Sequence, residues 1–196
     1  MTIIGITGPT GAGKTTALNE LVRLGGRIYD ADAVYHGLLR DSGELRRELE
    51  ERFGPLTDEK GEFQRKKLGA IVFADPAALA DLNAIAHRYV VRAIVEELEQ
   101  AKKQGVPCAA IDAIALFESG LADLCDATVA ITAPPETRVR RIMAREGIPE
   151  EYARSRVAAQ HSDAFFTSRC DHTLVNDHAA PEEFAAEARI LFESIL

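Results

Sequence analysis

"GPTGAGKTT", residues 8 to 16, fits the pattern G-x-x-x-x-G-K-[ST], with Gly8, Gly13, Lys14 and Thr15 in the defining positions and Gly11 as an extra glycine. The run "TIIGIT" (2–7) before it reads as a strand, and residues 15–24 after it read as a helix. Glycines leave no Cβ in the way, so the loop between strand and helix can turn successive backbone N–H groups inward around a phosphate. The helix dipole adds positive potential at the same point. The stretch predicts a nucleoside triphosphate site cradled by Gly8, Gly11, Ala12, Gly13, Lys14, Thr15 and Thr16. Lys14 is expected to reach the β and γ phosphates, and the Thr15 hydroxyl to ligate Mg²⁺.

Outward from this loop, four more runs read as strands: "RIYDA" (27–31), "VPCAAID" (106–112), "ATVAIT" (127–132) and "HTLVN" (172–176). Several are continuously apolar, which suits strands covered on both faces of a parallel sheet. Helical spacing relates Leu79, Leu82, Ile85, Ala86, Tyr89 and Ala93, and also Phe184, Ala188, Leu191 and Ile195. The expected fold is therefore α/β, with a five-stranded, mainly parallel sheet between helical layers. More than seventy residues separate the second and third strands, where about a dozen suffice for a crossover. A helical insertion is expected over 34–104, broken at "RFGPLTDEKGEF" and resuming at Asp75-Pro76. The core then comprises 1–33, 105–136 and 168–196, and 137–167 forms a small lid.

Composition narrows the function classes. The 196 residues are 46% apolar and carry a net charge of −8. General binding to nucleic acid or to acidic membranes is therefore not expected, since such partners reward an excess of Lys and Arg. No apolar stretch approaches the roughly 20 residues of a membrane span. The N-terminus shows no basic leader, and the three cysteines have no CxxC pattern. Both features lead to an expectation of a reducing, cytoplasmic setting. Cys170, His172 and His178 lack the spacing of a zinc site.

A phosphate-bearing ligand must then meet a local basic pocket. Arg138, Arg140, Arg141, Arg145, Arg154 and Arg156 crowd one segment. On a helix starting near Pro135, Arg138, Arg141 and Arg145 share one face, while Val139, Ile142 and Met143 form an apolar stripe on another. Two carboxylates, Asp30 and Asp32, follow the second strand. In extended backbone they would face the same way, into the crevice at the carboxyl end of the sheet. Asp32 also has the position of a helix N-cap. Asp112 ends the third strand, where it can hold a water of a Mg²⁺ shell or cap a turn. A guanine-reading N-K-x-D is absent: the corresponding stretches read "TAPPE" and "VNDH". A small-molecule kinase fits better than a GTPase switch. Other nucleoside or nucleotide kinases, and a non-catalytic nucleotide-binding switch, remain open at this level.

The motifs in chain order resemble one family, the dephospho-coenzyme A kinases. They are "TGPTGAGKTT", "DAD", "FQRKKL", "VFADPAALADLNAIAH", "IDAIALFESG", "TRVRRIMAREG", "AAQ" and "CDHTLVND", spanning about 3–178. The resemblance implies a P-loop kinase fold and transfer from MgATP to the ribose 3′-hydroxyl of dephospho-CoA. Asp32 matches the family's base, and Asp30 is either a Mg²⁺-water contact or a hydrogen-bond support. Arg141 and Arg145 match the arginines over the ATP phosphates, while Arg138, Arg140, Arg154 and Arg156 are read as a solvated face. Arg65, His87 and Glu118 match acceptor-side positions, and Asn176 the loop beside the adenine. Departures are His87-Arg88 where the family has His-Pro, Ile114-Ala115 where it has Pro-Leu, and "SDAFF" in place of basic residues after the Gln.

Overall fold

The computed structural model describes all residues, 1–196. Strand β1 (Thr2–Thr7) leads through the glycine loop into helix α1 (Lys14–Arg23). It is followed by β2 (Arg27–Asp30), α2 (Ala31–Asp41), α3 (Gly43–Phe53), α4 (Arg65–Ala74) and α5 (Pro76–Lys103). Then come β3 (Cys108–Asp112), a 3₁₀ turn (Leu121–Leu124), β4 (Ala127–Thr132), α6 (Pro135–Glu146), α7 (Glu150–Ala158), α8 (Asp163–Thr167), β5 (His172–Val175) and α9 (Pro181–Ile195). No helix is long and apolar enough to cross a membrane.

The five strands form one sheet in the order β2-β3-β1-β4-β5, and every pairing is parallel. Position in the sheet explains the sequence patterns. β4 is buried at all six positions and β3 at its first four, whereas the edge strands β2 and β5 each bury a single residue, Tyr29 and Leu174. Helices α1 and α9 cover one face, with Leu18, Leu21, Phe184 and Phe192 packed on Ile4, Ile6, Val129 and Ile131. The second half of α5 covers the other through Val90, Ile94 and Leu98 on Ala109 and Ile111.

The long stretch between β2 and β3 folds around its own apolar cluster, which includes Leu39, Leu45, Leu49, Leu68, Val72, Ile85 and Tyr89. Asp75 accepts the N–H of Ala77 over 2.9 Å and Pro76 opens α5, the start chemistry expected of a helix N-terminus. Arg88 lies mid-helix, donates to the carbonyl of Ala84, and pairs with Glu48 of α3. It thus fastens α5 to α3 at the position where the family pattern has proline. α6 and α7 share a smaller cluster of Val139, Ile142 and Ala153.

The acid pair after β2 differs from the extended arrangement expected of it. β2 ends at Asp30 and α2 begins one residue later. Asp30, not Asp32, is the cap: its Oδ1 accepts the N–H of Ala33 over 3.0 Å. Once the chain turns helical at Ala31, the two-residue periodicity of a strand no longer applies and the carboxylates part.

Candidate active site

The carboxyl ends of β1, β2 and β3 open on one side of the sheet, and the glycine loop closes over that edge. Gly8 sits at φ +138°, and a Cβ there would lie 2.0 Å from the carbonyl oxygen of Ile131. Gly13 sits at φ +106°, and its Cβ would lie 2.2 Å from the Asn176 amide nitrogen. Both glycines are demanded by conformation and by space. Lys14 folds back over the loop, its Nζ donating to the carbonyl of Gly8 over 2.9 Å.

A cavity of about 340 Å³ is lined by Thr10, Gly11, Gly13, Lys14 and Thr15 from the loop, Asp32 and Asp112 from the sheet side, and Arg141, Arg145 and Arg156 from α6 and α7. Four cations thus face two carboxylates in a chain whose net charge is −8. A concave site of this sign concentrates polyanionic ligands locally. Glu146 pairs with both Arg145 and Arg156 and sets their guanidinium groups side by side. Arg156, expected on a solvated face, therefore belongs to this cavity.

A second cavity, of about 260 Å³, adjoins the first and is mostly apolar. Tyr35, Leu82, Ala86, His87, Ala113 and Leu121 are among its walls. Asp32 and Ile114 line both cavities. The Asp32 carboxylate therefore stands at the junction of a cationic chamber and an apolar one. Burial holds the His87 imidazole below its ordinary value, with the neighbouring Glu118 opposing.

Asp112 is the most perturbed carboxyl of the site. Burial pushes it up to about 6, Asp30 and Asp32 push in the same direction, and Lys14 opposes. A half-buried carboxylate crowded by two others and facing the same cavity as the Thr15 hydroxyl is an oxygen-donor set for a hard cation. No cluster of three protein ligands accompanies it. The set thus fits an ion held largely by phosphate oxygens and water.

Other expected site residues lie outside the cavities. Gly8 and Ala12 are buried behind the loop, their carbonyls receiving Lys14 and Asn176 respectively. Thr16 sits in the first turn of α1, and Asp30 lines a separate groove with Val34 and Glu97. Arg65 is exposed and approaches the carbonyl of His36 at 3.5 Å. Glu118 is half exposed and pairs with Arg169 over 2.6 Å. Asn176 is 4% exposed and bonds protein on both sides of its amide. Arg138, assigned above to a solvated face, is 3% exposed. The first turn of α6 runs directly against the glycine loop and encloses it.

The family model for dephospho-CoA kinase matches residues 2–182. The chain belongs to the dephospho-CoA kinase family. The dephospho-CoA kinase of Corynebacterium diphtheriae is 37% identical over 177 residues, 90% of this chain and 88% of that protein. Among solved structures, TT1252 from Thermus thermophilus superposes with a TM-score of 0.79 at 32% identity, covering 98% of this chain and 97% of the other. The dephospho-CoA kinase from Campylobacter jejuni gives 0.68 at 25%, covering 98% and 96%.

Proposed function

We propose that this chain transfers the γ phosphate of ATP to the ribose 3′-hydroxyl of dephospho-CoA, releasing ADP and coenzyme A. The observation that carries the reading is the position of Asp32 on both cavities. An acceptor hydroxyl entering from the apolar side meets a carboxylate before it meets the donor. In the proposed step the hydroxyl oxygen attacks the γ phosphorus in line as its proton passes to Asp32, and the bond to the ADP oxygen breaks. Lys14 and the loop N–H groups hold the donor phosphates, and Arg141, Arg145 and Arg156 neutralise charge on the transferring group. Such positioning and neutralisation supply most of the catalysis in phosphoryl transfer.

Mg²⁺, held by Thr15 and Asp112, would supply charge neutralisation on the phosphates. His87 is proposed to contact the acceptor directly, while Arg65 and Glu118 act from the rim of its cavity. The working parts proposed are a core of 1–33, 105–136 and 168–196, an acceptor-binding insertion over 34–104 and a lid over 137–167. Helix α5 serves both insertion and core, its first half packing in the insertion's cluster and its second half on the sheet.

A coupled ADP-release assay across dephospho-CoA, uridine, cytidine monophosphate and adenosine monophosphate tests the reading. Turnover is expected with dephospho-CoA. Turnover confined to a nucleoside or nucleotide would reject the acceptor, and tight ATP binding without acceptor-dependent ADP release would reject the reaction.

A further inference from the structure

Helix α6 meets the phosphate loop backbone to backbone. A Cβ on Gly11 would come within 3.0 Å of the Arg138 carbonyl oxygen and 3.2 Å of its Cα. In this tight contact Arg138 Nε donates to the carbonyl of Thr10 over 3.0 Å, and its Nη2 donates to Gln160 Oε1. Its Nη1 faces the Asp163 carboxylate at 3.8 Å. The same Gln160 oxygen accepts the N–H of Thr10 over 3.1 Å. A closed ring results, from Thr10 carbonyl to Arg138 to Gln160 and back to the Thr10 N–H.

This ring is specific to two peptide planes. The Thr10 N–H belongs to the plane shared with Pro9, and the Thr10 carbonyl to the plane shared with Gly11. A trans peptide directs its N–H opposite to its carbonyl. With the Thr10 carbonyl held toward Arg138, the Gly11 N–H must point away from the lid. Within the loop the Ala12 N–H donates to the Pro9 carbonyl over 3.3 Å, a turn that can close with its central Thr10–Gly11 plane in either of two opposite orientations. A guanidinium beside Val139 and Ile142 is costly to bury unless its hydrogen bonds and counter-charge are supplied. An apolar residue would fill the same space without that cost.

We propose that Arg138 and Gln160 are positioning residues for the donor: they set the peptide planes on either side of Thr10, so that the Gly11 N–H is presented to the nucleotide phosphates. The proposal rests on the reading of this cavity as the triphosphate site. It identifies the segment after α7 as part of the donor machinery, acting on the loop through hydrogen bonds without touching the ligand.

The test uses Arg138→Met, Arg138→Lys, Gln160→Ala and the double variant, each measured for KM and kcat with ATP and dephospho-CoA, for direct nucleotide titration, and for Tm. Arg138→Met is expected to raise KM for ATP and the Kd for ATP by about tenfold, the scale of hydrogen bonds to a charged donor. KM for dephospho-CoA should stay within about twofold of the parent, the acceptor wall being untouched. Tm should fall by a few degrees, because the Thr10 carbonyl, Gln160 and Asp163 are left without their cationic donor, while well below Tm the loss of affinity should stay confined to ATP. Arg138→Lys should not rescue, since one ammonium lacks the fork that spans Thr10 and Gln160. The double variant should be no weaker for ATP than the worse single one, because both act on one peptide. Unchanged ATP affinity in Arg138→Met and Gln160→Ala, or losses that simply follow Tm, overturns the proposal. Should Arg138→Met not fold, Gln160→Ala decides by the same titration. Failure of the parent to use dephospho-CoA would reject the acceptor assignment and leave the nucleotide titrations valid.

Discussion

Arg141 donates to Asn176 Oδ1 over 3.0 Å, joining the lid helix to the loop that leaves β5. The other end of the same amide donates to the carbonyl of Ala12 over 2.9 Å. Arg141 also approaches the carbonyls of Gly11 and Ala12, at 3.3 and 3.4 Å. A buried amide thus fixes both the floor of the glycine loop and a cation that faces the cationic cavity.

The first prediction concerns Asn176→Ala. It should cost about 1–3 kcal/mol of stability, because the Ala12 carbonyl loses its buried partner. It should also weaken ATP binding by freeing Arg141. Asn176→Asp should be worse than Ala for stability, as the carboxylate cannot donate to Ala12. Denaturant unfolding with ATP titration checks this. An Asn176→Ala protein as stable as the parent and with its ATP affinity would show that the amide is not a support.

The second concerns Asp32. Asp32→Asn retains shape and a hydrogen-bonding group at the junction of the cavities but removes the proposed proton acceptor. ATP affinity should stay within about twofold while turnover falls about 10² to 10⁴-fold, the range of general-base loss. Activity within threefold of the parent would reject the role. Asp30→Ala should behave differently, because Asp30 holds the first turn of α2. Its effect should appear as lost stability, about 0.5–2 kcal/mol for a weakened cap.

The third prediction separates acceptor from donor. Ala86 is 8% exposed and lines the apolar cavity. Ala86→Leu adds volume where the acceptor is proposed to lie, on a helix that favours leucine. KM for dephospho-CoA should rise about tenfold, as expected when added methylene groups fill a fitted pocket. KM for ATP should not move. Equal changes in both constants would mean that the two cavities are not separate binding sites.

How much of this was legible in the sequence depended on distance along the chain. The glycine loop is local, since its spacing alone implies the backbone it makes, and Gly8 and Gly13 show why. β3 and β4 were legible because burial on both faces leaves a continuous apolar run, and Asp112 because it ends one of them. The Asp30 and Asp32 geometry was misjudged by a single residue, since strand and helix periodicities diverge at once and β2 gives way to α2 without a loop. Arg138 lies about 40° around the helix from Ile142 at 100° per residue, at the border between polar face and apolar stripe. Its partner Thr10 is 128 residues away, and the partner of Asn176 is 164 away. No local pattern encodes such contacts. Arg156 apart, the residues that line the cationic cavity were therefore easier to find than those that hold the loop in shape.

The fourth prediction follows from Asp112, whose carboxyl is pushed by burial to about 6 in the folded, metal-free protein against an ordinary 3.8. Below about 3.8 the group is protonated whether folded or unfolded and has no effect on stability. As pH rises toward 6 the unfolded chain releases the proton while the folded chain retains it, so folding stability falls. Above about 6 the full cost of the buried charge is present. Asp112→Asn removes that cost. With a chelator present, its Tm at pH 7.5 should exceed the parent's by a few degrees, on the order expected for 1–2 kcal/mol in a domain of this size. The difference should close as pH is lowered toward 4. Kinase activity should fall in the same variant, because an amide is a poorer partner for a hard cation than a carboxylate. A lower Tm for Asp112→Asn at pH 7.5, or a gap that does not change with pH, would show that this carboxylate is stabilised by its surroundings and is not poised against them.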